Sequence, residues 1–414
     1  MTHAPDEVRY LLLIFALFVL PPLFGRLRVP GGVTALCLGG LSASTLGWYQ
    51  HEPTLPLLAK FGVMALFLLA GLEVDLPSLA RRWKPIAGHV AIKLASMGLL
   101  AWGLQAWMGL AGPVAWLASL ILLTPSTGFI LESLERTALG DNEKEWTKTI
   151  AIAVELAALL VLFVALRSGS ASEFLWSAAA LAALIALLPF VLRAYARFIA
   201  PFAPNTEFAF LIIVALLTGT LTRALGTYYL VGAFLVGLVA QRFRESQPSL
   251  SSERLLYALR LFAFFFMPFY FFHAGQAFGG LSITVRGLAV GLAFLALVVP
   301  LRLALTWTQL RFVLGESLVQ HRDVAVALLP NLVFGVVVSG ILLQAYSVPQ
   351  ELYVGLMVYT VAVSTLPAYL LKTPVGDAAS LGLPEPPAGH GLSGWMDPSA
   401  TAGPRRPGPK PPVA

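Results

Sequence analysis

Cysteine, histidine and charge are all scarce in this chain, and each scarcity excludes something. The one cysteine, Cys37, rules out a disulfide within the chain and a C-x-x-C metal or redox centre. Six histidines are scattered without metal-ligand spacing, so no resident metal and no other cofactor is expected. Charged residues make up 12% of the chain and hydrophobic residues 58%, whereas a soluble domain carries about a quarter charged residues. Strand-like alternation is missing, which excludes a membrane β-barrel. No glycine-rich strand–turn–helix fingerprint occurs, so no appended nucleotide-binding domain is expected. A small-residue cleavage site is also missing after the first apolar stretch, which reads as a first helix and not as a removed signal peptide.

Long apolar runs are what the chain does have. Mean hydropathy is +0.80, and windows of about 20 apolar residues, the length that spans a bilayer as a helix, recur along nearly the whole sequence. Thirteen spans are expected, near 8–26, 30–48, 57–76, 86–110, 112–134, 146–167, 172–192, 206–224, 227–241, 255–273, 284–310, 322–345 and 350–371. The fold class is therefore an all-α polytopic membrane protein whose principal partner is the lipid bilayer. Of the 27 Lys and Arg, 20 fall on one side of this topology, 5 on the other, and Lys93 and Arg302 within spans. The positive-inside rule then puts the N-terminus outside and the C-terminus in the cytoplasm, with the chain in the cell (inner) membrane. This asymmetry accounts for the net charge of +6 without invoking nucleic acid. Residues 373–414 hold 10 of the 29 prolines and no apolar run, so they are expected to form a Pro/Gly-rich disordered cytoplasmic tail.

Two spans carry helix breakers at matched positions. The fifth contains Leu123-Thr124-Pro125-Ser126-Thr127-Gly128 and the twelfth Leu329-Pro330-Asn331-Leu332 followed by Gly335. Broken backbone is tolerated at membrane depth only beside protein or a wet cavity. Five and twelve differ by seven, so spans 1–6 and 8–13 read as two halves. The seventh span inverts the second half, which gives an inverted-repeat transporter with two broken helices crossing at the midplane.

Next to the first break lies an acid in hydrocarbon. Glu155 sits in Ile150-Ala-Ile-Ala-Val-Glu155-Leu-Ala-Ala-Leu-Leu. An ionisable side chain at a helix centre costs roughly 2.5–3.5 kcal/mol on translocon scales, so it implies a partner or a purpose. Arg302, in Val-Val-Pro-Leu-Arg302-Leu-Ala-Leu, is the base that invites pairing, either as a strut or as part of the site. Arginine does not lose its proton, so Glu155 is the candidate carrier. Hard cations take oxygen ligands, and Thr124, Ser126 and Thr127 offer hydroxyls beside unwound carbonyls, with Asn331 as a further donor from the twelfth span. Those hydroxyls can equally bond to their own helix. Lys93 reads as a side chain snorkelling to the cytoplasmic surface, and His89 and His273 read as interfacial hydrogen-bonders. Glu73 and Asp75 lie at the cytoplasmic mouth, where they concentrate cations or end a helix.

Four stretches carry a resemblance to the cation:proton antiporter superfamily, on its bacterial sodium/proton or potassium/proton exchanger branch. They are Gly25-Arg-Leu-Arg-Val-Pro30, Phe67-Leu-Leu-Ala-Gly-Leu-Glu-Val-Asp75, Leu123-Thr-Pro-Ser-Thr-Gly-Phe-Ile-Leu131, and Tyr229–Leu238 with Phe266–Gly275. The likeness covers residues 8–371. It implies a homodimer with a fixed dimerisation part (about 8–76 and 206–273) and a linker helix (about 172–192). A moving core (about 86–167 and 284–371) would carry out an elevator-type exchange of Na⁺ or K⁺ for H⁺. By this resemblance Glu155 falls at the family's ion-binding aspartate, Val154 at the polar residue before it, and Arg302 at the basic partner. Glutamate for aspartate, valine at 154, and Asn331-Leu-Val333 in place of an arginine–glycine–glutamate stretch are departures. Valine at 154 removes a second polar group, which favours one-for-one electroneutral exchange. An organic-anion carrier or channel on the same fold, with Arg302 holding a carboxylate, and a non-transporting membrane sensor are the alternative functions.

Overall fold

A computed structural model of the chain describes residues 6–371 except 50–51, 135–136, 168–169, 204–205, 226–228, 245–252, 281–283 and 313–320. The tail expected to be disordered lies outside the described residues. Helices follow one another in the order α1 (Asp6–Gly25), α2 (Gly31–Leu41), α3 (Thr54–Leu72), α4 (Leu76–Arg81), α5 (Trp83–Met108), α6 (Gly112–Leu123), α7 (Thr127–Leu134) and α8 (Asp141–Arg167). The second half comprises α9 (Ala171–Phe198), α10 (Glu207–Ala224), α11 (Tyr229–Arg244), α12 (Glu253–Gln276), α13 (Val285–Phe312), α14 (His321–Ala327), α15 (Leu332–Tyr346) and α16 (Gln350–Leu370). No strand occurs among the described residues.

Among the described residues, ten spans are long and apolar enough to cross a membrane. The pair α14 and α15 adds one more, bent by 40° at its break, and two shorter apolar helices cover Gly31–Leu46 and Tyr229–Phe243. Thirteen crossings are reached only when the bent pair and both shorter helices are included. The expected spans fall close to these helices, but α8 begins at Asp141 and α12 runs on to Gln276, beyond the apolar windows.

Two groups of helices pack closely. In one, α12 lies along α2 and α3, and α11 lies between α3 and α10. In the other, α13 lies along α16, and α6 packs on α5, α8 and α15. Lipid tails are as apolar as leucine, so helices in a bilayer gain most from close backbone approach at small residues. Two reciprocal glycine seams achieve this in the first group. A Cβ on Gly39 would run into the Phe272 carbonyl, and one on Gly275 into that of Leu36. Gly71 meets the Phe234 carbonyl in the same way, and Gly237 meets that of Leu68. Cys37 points away from this packing and is exposed on α2.

Candidate functional site: a buried carboxylate at two interrupted helices

Helical hydrogen bonding stops over residues 124–126, between α6 and α7, and again over 329–331, between α14 and α15. Each proline removes an N–H donor at its break. The two breaks meet directly, because the Ser126 N–H donates to the Pro330 carbonyl at 2.8 Å. Asn331 reaches across as well: its Nδ2 donates to the Ile121 carbonyl, and its backbone N–H to Ser364 Oγ at 3.3 Å. Tyr359 on α16 donates to the Leu122 carbonyl at 2.7 Å. The Thr124 N–H takes the Leu120 carbonyl at 2.9 Å. Of the last carbonyls of α6, which an ending helix leaves without partners, those of Ile121 and Leu122 are thus taken up by the other half of the molecule.

Glu155 lies in the middle of α8, 4% exposed. Its Oε2 accepts from the Thr127 backbone N–H at 2.8 Å. Thr127 is the first residue of α7, so the positive end of a helix faces the carboxylate. Around the crossing, Thr124 Oγ1, Ser126 Oγ, Thr127 Oγ1, Asn331 Oδ1 and Thr360 Oγ1 are buried without a hydrogen-bond partner. Leaving such a group unsatisfied costs about 1–3 kcal/mol. Oxygen atoms of this kind beside a carboxylate suit a hard monovalent cation.

Arg302 is buried on α13 but does not form an ion pair with Glu155; no ion pair of either residue occurs among the described residues. Its Nη1 donates to the Tyr359 hydroxyl at 3.1 Å and its Nη2 to the Leu328 carbonyl at 2.9 Å. A guanidinium there completes the C-terminal end of α14, where a cation is favoured. Through Tyr359 it also reaches α6, so its contacts are those of a strut.

Lys93 does not snorkel. It is 5% exposed and donates to Thr306 Oγ1 at 3.1 Å. His89, one turn earlier on α5, is also buried and not interfacial, and neither ring nitrogen has a partner. The signal was present in the spacing: His89 and Lys93 are four apart on α5, and Arg302 and Thr306 are four apart on α13, so each pair shares a helix face. Tyr359 had no comparable mark, since only the carbonyls it meets give its hydroxyl a role. At the expected cytoplasmic mouth, Glu73 ends α3 and accepts from Arg260 Nη2 of α12 at 3.1 Å, while Asp75 is exposed just beyond it.

Interrupted helices crossing beside a buried carboxylate, within a bundle of apolar helices, define a multi-pass membrane protein of the transporter class. Residues 12–373 match the transmembrane sodium/hydrogen exchanger family, and the chain belongs to it. It is 23% identical over 382 residues to the probable Na⁺/H⁺ antiporter 3 of Methanocaldococcus jannaschii, covering 88% of this chain and 95% of that one. It is 25% identical over 323 residues to the Na⁺/H⁺ antiporter NhaS5 of Synechocystis sp., covering 73% of this chain and 46% of that longer protein. The fold is similar to the structure of the sodium proton antiporter MjNhaP1 from M. jannaschii at pH 8. The TM-score is 0.61 at 16% identity, over 88% of this chain and 95% of that one.

Proposed function

We propose that this protein is a secondary active transporter that exchanges one monovalent cation, Na⁺ or K⁺, for one proton, with Glu155 as the shared site. The observation that carries the reading is the carboxylate of Glu155 buried beside partnerless oxygens at the helix crossing. A cation there would take Thr124, Ser126, Thr127 and Asn331 as neutral ligands and Glu155 as the charged one. A proton on Glu155 would neutralise the same carboxylate, so the two compete. Val154 is apolar and buried, so Glu155 has no acidic residue before it, which supports one-for-one electroneutral exchange. The names of the two relatives, both Na⁺/H⁺ antiporters, support the class of reaction.

The mechanical reading is an elevator. The core part, about 86–167 and 284–371, would carry the site past a dimerisation part, about 8–76 and 206–273, with 172–192 as linker and two copies making a homodimer. The glycine seams hold helices of the second part together through their backbones, which suits a rigid support. The chain would lie in the cell inner membrane with its N-terminus outside and its C-terminus in the cytoplasm.

The test is antiport in proteoliposomes with a pH-sensitive dye, adding Na⁺, K⁺ and Li⁺ in turn. One cation should dissipate an imposed pH gradient with the wild type and fail to do so with Glu155→Gln. Cation-driven proton movement that survives Glu155→Gln would refute Glu155 as the shared site.

A further inference from the structure

Alongside the helix crossing lies a small cavity of about 10 Å³, walled by α5, α8 and α13 together with Leu123, Pro125 and Leu328 at the two breaks. Its polar side chains are His89, Lys93, Arg302 and Thr306, and Val154 is among the apolar residues that complete the wall. No carboxylate lines it. Arg302 gives Nη1 to Tyr359 and Nη2 to Leu328, both neutral acceptors. Lys93 gives one hydrogen to Thr306, and an ammonium has three. His89 is 1% exposed with both nitrogens partnerless. Two basic side chains thus share one pocket with a partnerless imidazole and no carboxylate in its wall, an arrangement that is costly while it stays uncompensated.

The chemistry of the lining selects the ligand. Donors outnumber side-chain acceptors, which are the Thr306 hydroxyl, already bonded to Lys93, and one nitrogen of a neutral His89. A species that only accepts, and carries negative charge, satisfies the lysine and imidazole hydrogens and relieves the repulsion between Lys93 and Arg302. The size admits about one water-sized particle, which excludes carboxylates and other organic anions. We propose that this cavity binds one small monatomic inorganic anion, of the chloride class, held by Lys93 and His89 beside Arg302. Such an anion would be a resident counter-charge, distinct from the exchanged cation, and its binding does not depend on the exchange reading.

The experiment is equilibrium binding of radioactive chloride to the purified full-length protein, with sodium constant and gluconate as the replacing anion. Wild type should bind one chloride per chain saturably, displaced by bromide and not by gluconate. Lys93→Met should weaken it at least tenfold, while Lys93→Arg should retain it. Should Lys93→Met not fold, His89→Leu serves instead and should weaken binding at least threefold. Glu155→Gln should keep binding while losing antiport, which separates this site from the exchange site. No saturable chloride in the wild type overturns the proposal. Unchanged affinity in folded Lys93→Met or His89→Leu overturns it equally.

Discussion

At the scale of single residues, Tyr359 joins three helices of the site. Its hydroxyl accepts from Arg302 and donates to the Leu122 carbonyl, so it connects α13 and α16 to the end of α6. Tyr359→Phe removes both bonds and leaves a buried guanidinium hydrogen and a helix-end carbonyl without partners. The expected loss is about 1–3 kcal/mol, seen as a lower midpoint of thermal unfolding in detergent with the protein still folded. An unchanged midpoint would show that these bonds carry no stability. Much at this scale was legible in the sequence. Glu155 and Arg302 each stand alone in an apolar run, and hydrocarbon leaves an ionisable group few places to go. What a run of letters does not give is direction. Glu155 and Arg302 looked like natural partners, yet each is satisfied by backbone or hydroxyl groups instead. Lys93, placed as a snorkelling side chain by its distance from a helix end, turns inward to Thr306.

At the scale of helices, two kinds of glycine separate cleanly. Gly237 on α11 faces the Leu68 carbonyl, a rigid backbone atom that cannot yield to an added Cβ, whereas Gly103 on α5 has nothing within 4 Å. Gly237→Val should therefore abolish or sharply reduce the yield of monodisperse protein. Gly103→Ala should leave it intact or raise stability by roughly 0.5–1 kcal/mol, as helix propensity dictates. Equal behaviour of the two variants in size-exclusion and thermal-unfolding runs would contradict the seam. The interruptions were legible because proline cannot donate, and two prolines at corresponding depth are conspicuous. The seams were not, because glycine is common throughout the chain and only the facing carbonyl distinguishes one that must stay glycine. Helix ends were blurred as well. The first turns of α8 carry Asp141, Glu143, Lys144 and Glu145, so the helix outruns its apolar window.

At the scale of the molecule, hydrogen bonds at the crossing tie the two halves together. The Ser126–Pro330 bond and the Asn331 reach to Ile121 tie a break in each half to the other. Asn331→Leu keeps the volume roughly constant but removes both the Ile121 contact and the free Oδ1. It should slow exchange at least tenfold in the proteoliposome assay, with the protein still folded. Wild-type rates in that variant would remove Asn331 from the site. The all-helical bundle of apolar spans was legible from hydropathy, since a bilayer constrains it. The individual bonds across the crossing were not, because they join residues some two hundred positions apart.

Cys37 carries one last consequence. It is the only thiol in the chain and is exposed on α2, on a face that a bilayer would cover, so a membrane-permeant nitroxide reagent, driven to full labelling, would place one electron spin on each polypeptide without any engineering. A lone spin has nothing to couple to. Dipolar modulation in a pulsed electron–electron resonance trace would then report a second copy alongside, fading as unlabelled protein is mixed in, and a flat trace would count against the homodimer.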